Sequence, residues 1–249
     1  MAKIIENKDF WTIPNVRYRS SRNIYTTVDV DLSKELVLNL SPMRNASSIQ
    51  KGDFHAESAP FQYAVLKAAR QSENKEIREF LKRQFSEYRL STRTKVAYQP
   101  YGCGKDKVVH NYGTSKAYDV IENITGNDGF VDEIKDKKYL EALLGASDIK
   151  EINDVFKWIT GKKAYIMRRC SAPCSIIEYA VEFNEGLTRV GLDSCGDTLI
   201  EDRPSLGMRE SAEALVKNTR KIYSITYIKS ALNKEGISGE LEKRILGNL

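Results

Sequence analysis

Between Ile177 and Phe183 apolar and polar residues trade places with a period of two: Ile177, Tyr179, Val181 and Phe183 alternate with Glu178, Ala180 and Glu182. Successive side chains of a strand point to opposite faces, so this spacing predicts a strand with one buried side. Asn184-Glu185-Gly186 then turns the chain into 187–193, which makes a hairpin centred on Glu185. The same period appears near the N-terminus, where Ile24, Thr26, Val28, Val30 and Leu32 alternate with Tyr25, Thr27, Asp29 and Asp31. Leu36, Leu38 and Leu40 resume it after Ser33-Lys34-Glu35, and the stretch reads as a second hairpin turning at that tripeptide.

Helical spacing fills much of the rest. Ser58 and Pro60 open a helix whose stripe is Phe61, Ala64, Val65, Ala68 and Ala69, and Asn74 opens another carrying Ile77, Phe80, Leu81 and Phe85. Further helices are expected over 114–124, over 136–144 ended by Gly145, and over 147–160, capped by Ser147 and ended by Gly161. The segment 91–109 reads as two strands around the Pro100, Gly102 and Gly104 turn. After the stretch 161–202 a helical tail is expected, with Ala212, Leu215, Val216, Thr219, Ile222, Tyr223 and Thr226 at heptad-like spacing. The fold class is therefore α+β: two small antiparallel β units, about 16–40 and 163–200, covered by several helices and followed by that tail. The glycine and asparagine cluster at 126–129 divides the chain into 1–125 and 126–249, or leaves it as one domain.

With 249 residues, 41% of them hydrophobic, the chain can bury a proper core. No stretch approaches the apolar run of roughly 18 residues that a membrane span needs, and the N-terminus lacks a signal-type apolar region, so a cytoplasmic protein with no membrane partner is expected. Four cysteines are too few for a disulfide scaffold in a chain of this length. A net charge of +5, from 39 basic and 34 acidic residues, favours polyanions only weakly.

Three cysteines, Cys170, Cys174 and Cys195, flank the 177–193 hairpin, and Cys103 sits in Tyr101-Gly102-Cys103-Gly104-Lys105. A hairpin centred on Glu185 puts residue 175 opposite Cys195, one step from Cys174. Four thiolates so gathered suit zinc or an iron-sulfur cluster. The spacing between Cys170 and Cys174 lacks the paired Cys-x2-Cys knuckles of such sites, so buried thiols or a disulfide between Cys174 and Cys195 remain alternatives.

Asp29 and Asp31 share a strand face, an arrangement that holds a divalent cation in phosphoryl chemistry. Over Val28-Asp29-Val30-Asp31-Leu32 it resembles the paired aspartates of archaeal-type primases and other nucleotidyl transferases. No partner histidine motif follows, so the family is not carried beyond these five residues. Alternating carboxylates on the solvent side of a hairpin explain the pattern equally. Nuclease-like sets, Asp119 with Glu133 and Lys135 or Asp132 with Asp148 and Lys150, fall where helices are expected.

The strongest interaction signal is the interleaving of cations and aromatics. Arg89, Arg93, Lys95 and Lys105 lie among Tyr88, Tyr98 and Tyr101, and upstream Arg17, Arg19 and Arg22 lie among Tyr18 and Tyr25. Cations meet phosphates and aromatic faces stack bases, so the expected activity is cytosolic nucleic-acid binding or processing, with DNA or RNA as partner. Two other readings stand beside it. One is a small-molecule enzyme whose site gathers His55, Cys103 and His110; the other is an assembly protein forming homo-oligomers. The sequence leaves open whether the chain is an enzyme.

Overall fold

The computed structural model describes residues 4–39, 54–99, 104–124, 128–134, 137–167, 177–193 and 203–211. Along the chain these form β1 (Ile5–Glu6), β2 (Phe10–Ser21), β3 (Ile24–Asn39), α1 (Ala59–Ser72), α2 (Lys75–Glu87), β4 (Leu90–Tyr98), β5 (Asp106–His110) and β6 (Tyr118–Ile124). There follow β7 (Gly129–Phe130), a 3-10 turn (Val131–Glu133), α3 (Lys137–Leu144), α4 (Ile149–Thr160), β8 (Lys163–Met167), β9 (Ile177–Glu185), β10 (Arg189–Asp193) and β11 (Arg203–Glu210). The class is α+β. Met1–Arg209 is one compact unit, and the second, Glu210–Leu249, lies almost wholly outside the described residues, as does the expected helical tail.

The first sheet has the order β1-β2-β3-β11. Its long hairpin turns at Arg22-Asn23, not at Ser33-Lys34-Glu35, and β3 runs unbroken through that tripeptide. The reason is an upstream partner: β2 pairs along β3 with Trp11 opposite Leu32, Ile13 opposite Val30 and Val16 opposite Val28. The alternation of β2 is interrupted by a bulge at Pro14-Asn15, where Asn15 takes φ 56° and its N–H bonds Asp29 Oδ1 at 3.0 Å. Proline inside a sheet is confined to such irregularities because it cannot donate to the ladder. β11 closes the sheet on β3, and Gly207 fits because a Cβ there would meet Val37 Cγ1 at 2.8 Å.

The second sheet has seven strands in the order β6-β5-β4-β9-β10-β8-β7, antiparallel except for β8 beside β10. Strands on either side of residue 126 thus share one sheet, so the two small β units expected from the alternation are instead four- and seven-stranded sheets. The helix expected over 114–124 is a turn followed by β6. Thr114 N–H and Ala117 N–H bond back to Asn111 and Thr114 carbonyls, and Asn111 and Gly113 take φ 52° and 77°. The backbone of β6 is satisfied by β5 instead of by itself.

Among the described residues four α-helices are present. Local chemistry sets their ends. Asn74 Oδ1 accepts from Ile77 N–H at 3.0 Å, and Asp148, not Ser147, caps α4 by accepting from Glu151 N–H at 3.1 Å. Gly161 closes α4 at φ 78°. α1 lies on β2, where Tyr18 meets Phe61 edge-on at 4.3 Å, and it also reaches β4. α2 and α4 bring Phe85 and Phe156 onto Phe183 of β9, at 6.1 and 5.9 Å between ring centres. Each fully buried side chain of this kind stabilises the fold by about 2–3 kcal/mol, so Val181 and Phe183 of β9 supply core, while Glu182, expected on the polar face, is buried as well.

Candidate nucleic-acid interface

The two basic, tyrosine-bearing segments meet different fates. On β4 and β5, Lys95 bonds Glu178 of β9 at 2.9 Å and Lys107 bonds Asp119 of β6 at 2.8 Å. The register explains it: Ala97 stands beside both Lys107 and Glu178, and Val109 beside both Lys95 and Asp119, so the four charges share one sheet face. Tyr98 is buried, its hydroxyl 3.3 Å from that of Tyr139. Arg93 is half-buried, with its backbone bonded to Glu57 and Tyr112. Arg89 and Lys105 are exposed, and Tyr101 lies outside the described residues.

On the first sheet the arrangement differs. Arg19 is 4% exposed. Its Nε donates to Arg22 O at 2.9 Å, its Nη2 to the same oxygen and its Nη1 to Glu141 O at 3.3 Å, while the Tyr118 hydroxyl donates to Arg19 O at 2.8 Å. Arg19 therefore fastens the β2–β3 tip to the last turn of α3. The Tyr25 hydroxyl adds bonds to Gly145 O at 3.3 Å and Glu141 Oε1 at 3.4 Å. Burial and the Glu141 carboxylate hold that phenol above its ordinary pKa.

That fastening leaves a row of side chains outward. Ile24 and Tyr25 are 59% and 40% exposed, and Arg22 is exposed beside them. The Arg17 guanidinium lies 5.3 Å from the centre of the Tyr25 ring and has no ion pair or side-chain hydrogen bond among the described residues. Both residues line a cleft of about 550 Å³ between the hairpin, α1 and the α3–α4 loop. Its lining includes small residues, Ala64 and Ala68 of α1 and Gly145 and Ala146 of the α3–α4 loop. Lys67 and Glu151, paired at 2.9 Å, and Gln71 form its polar side.

Gly145 is essential to this geometry. It takes φ 66°, and a Cβ there would stand 3.1 Å from Arg19 Cβ and 3.3 Å from Pro60 Cβ, so the loop can approach the hairpin only without a side chain. Sequence reading sees Gly145 as a helix end, which it is, and misses Lys67, Gln71, Gly145 and Glu151 as site residues. No local pattern joins positions that converge only through tertiary packing.

The two aspartates are occupied. Asp29 accepts from Asn15 N–H. Asp31, expected on a solvated face, is 2% exposed, with Oδ1 accepting from the Thr12 hydroxyl at 2.8 Å and Oδ2 from Arg209 Nε at 3.1 Å. The Arg209 guanidinium is itself held between Phe10 and Phe54, at 5.2 and 4.4 Å from their ring centres. Burial follows from β11, which covers an edge that the sequence shows as free. In the nuclease-like sets, Asp132 bonds Lys163 at 2.6 Å and Asp148 is a helix cap.

His110 is buried, and both ring nitrogens are spoken for. Nε2 lies 2.8 Å from Ala142 O, which only accepts, so Nε2 carries the proton; Nδ1 then accepts from the Thr94 hydroxyl at 2.8 Å. That hydroxyl oxygen accepts in turn from Ala59 N–H, the first donor of α1. Burial pushes the His110 pKa down to about 3, against the pull of the Ala142 carbonyl. His55 instead pairs with Glu57 at 2.7 Å and bridges Met208. Each histidine thus has partners of its own, and Cys103, the third residue of that reading, lies outside the described residues.

Cys103, Cys170, Cys174 and Cys195 all lie outside the described residues, and among the described residues no group of three potential ligands can hold a metal ion. Val190 faces Glu185 and Leu192 faces Phe183, so over the described residues the β9–β10 hairpin is not centred on Glu185, and positions 175 and 195 lie outside them. Among the described residues no helix is long and apolar enough to cross a membrane. The sequence matches no family model, and neither curated proteins nor solved structures contain a significant match.

Proposed function

We propose that this chain binds single-stranded nucleic acid, DNA or RNA, through the β2–β3 hairpin tip and the cleft beside it. The observation that carries the reading is the Arg17 guanidinium, stacked on exposed Tyr25 and without a carboxylate partner among the described residues. A cation already desolvated on one face by an aromatic ring and still free on the other is a phosphate contact in waiting. Arg22 and Ile24 extend the same edge. The role is binding and not phosphoryl chemistry at Asp29 and Asp31, because the oxygens of Asp31 are held by Thr12 and Arg209.

Fluorescence anisotropy with labelled oligonucleotides tests this. Binding at low salt is expected, with log K falling by about 0.7 per phosphate neutralised for each unit of log salt. Arg17→Ala is expected to weaken it about tenfold, or 1.4 kcal/mol, with the thermal transition unmoved. No binding at low salt, or binding indifferent to salt and to Arg17→Ala, overturns the reading.

A further inference from the structure

Resting on that reading, we infer that single-stranded nucleic acid has a second contact on this chain, a row of Phe130, Tyr165 and Arg189 across β7, β8 and β10 that takes one nucleotide unit. Among the described residues five cations lie over aromatic rings: Arg17, Lys34, Arg78, Arg189 and Arg209. Three of them are bound elsewhere as well, Lys34 to Glu6 at 2.7 Å, Arg78 to Trp158 O at 2.7 Å and Arg209 to Asp31 at 3.1 Å. Arg189, like Arg17, has no ion pair or side-chain hydrogen bond among the described residues. Its guanidinium lies 3.7 Å from the centre of the Tyr165 ring, closer than Arg17 lies to Tyr25.

Strand register builds the row. Ala164 and Ile166 are fully buried, and Ile166 shares its ladder position with Leu192 and Phe183 of the core. Tyr165 between them therefore points to the opposite face. Phe130 stands beside Tyr165 on one side and Gly191 on the other. The Phe130 ring meets Tyr165 edge-on at 5.1 Å, and Gly191 carries no side chain, so Arg189, two residues back on the same face, can lie across the tyrosine. All three side chains are half-buried. Lys163, which stands beside Arg189 in the ladder, is neutralised by Asp132 at 2.6 Å, whereas Arg189 is not. A planar guanidinium held by one face keeps its other face for a base and the donors along its edge for phosphate oxygens. Inorganic phosphate would use only the edge. An anion that carries a flat ring uses both, and a nucleotide unit of a single strand is such an anion.

Photo-crosslinking of the full chain to an iodouracil-substituted single-stranded oligonucleotide, with mass spectrometry of the linked peptides, decides the matter. Cross-links are expected on two separate peptides, one carrying Tyr25 and one carrying Tyr165. Tyr165→Ala and Arg189→Gln are each expected to weaken binding about fivefold, the lower end of what one stacked base contributes, with the Tyr25 cross-link retained. Should Tyr165→Ala not fold, the wild-type map and Arg189→Gln decide. Cross-links at Tyr25 alone, or affinity unchanged in both variants, overturn the inference while the hairpin interface stands. Cross-links at Tyr165 alone keep this contact and overturn the hairpin tip. No cross-link to either peptide overturns both.

Discussion

The hairpin tip and the β4–β5 face are built from the same kinds of residue, arginine or lysine interleaved with tyrosine, yet the face sets its strand lysines Lys95 and Lys107 against carboxylates while the tip sets Arg17 against an aromatic ring. On β4 and β5 the neighbours across the sheet are Glu178 and Asp119, and register delivers a carboxylate to each lysine. At the tip of β2–β3 the residue across from Arg17 is Thr27, which carries no charge, and the guanidinium lies over the ring of Tyr25. A basic, aromatic segment thus becomes an interface or a charge-balanced surface according to what the next strand carries. Composition does not distinguish the two; pairing does.

Four substitutions or conditions press on this contrast. The largest effect is expected for Arg19→Ala, which strips the tip of its bonds to the Arg22 and Glu141 carbonyls, leaving Glu141 O with only Gly145 N–H among the described residues. Chemical denaturation should show a loss of about 3 kcal/mol. If stability barely changes, the tip is not fastened as described and the contrast fails.

Acidification comes second and probes the other region, since β5 is anchored by neutral His110. With a folded pKa pushed down to about 3 and an unfolded value near 6.5, the unfolded chain alone takes up this proton between those limits. Stability is therefore intact above pH 6.5 and declines as pH falls toward 3, by about 1.4 kcal/mol per unit attributable to this group. Urea titrations at several pH values should show His110→Gln with a slope shallower by about one proton.

Third, Gly145→Ala forces a Cβ against Arg19 and Pro60 at a φ that alanine resists. A cost of about 1–2 kcal/mol is expected, accompanied by weaker oligonucleotide binding as the loop withdraws from the hairpin. Stability loss with unchanged binding would detach the loop from the interface. The smallest change is expected for Lys95→Ala. Its pair with Glu178 is partly solvated, with side-chain exposures of 23% and 43%, and contributes about 0.5 kcal/mol or less. Its affinity for oligonucleotides should stay within about twofold of wild type; a tenfold loss would move the interface to the β4–β5 face.

Much of the local structure was legible in the residues. Asn74 and Gly161 mark helix ends, and Val181 and Phe183 mark a buried face, because caps and periodicity act over a few positions. What escaped is non-local. Ser33-Lys34-Glu35 looks like a turn until β2 supplies a partner, where Lys34 N–H bonds Asp9 O at 3.0 Å. The 114–124 segment looks helical until β5 offers an edge. Asp31 looks solvated until Arg209 arrives from 178 residues away. Arg17 and Tyr25 were visible as a combination, but the small residues lining their cleft belong to α1 and to the α3–α4 loop, which no spacing rule connects to a strand near residue 20.

The distance in sequence between Asp31 and Arg209 also dictates an order of events as the chain is made. β1, β2 and β3 are synthesised well before β11, which lies along the edge of β3. Until then β3 shows an open row of backbone groups, and Asp31 waits without its guanidinium. The sheet is thus finished by a segment made long after its hairpin. An unpaired edge is a template for other chains, so this sheet is most prone to misassociate during synthesis, before residue 209 has left the ribosome.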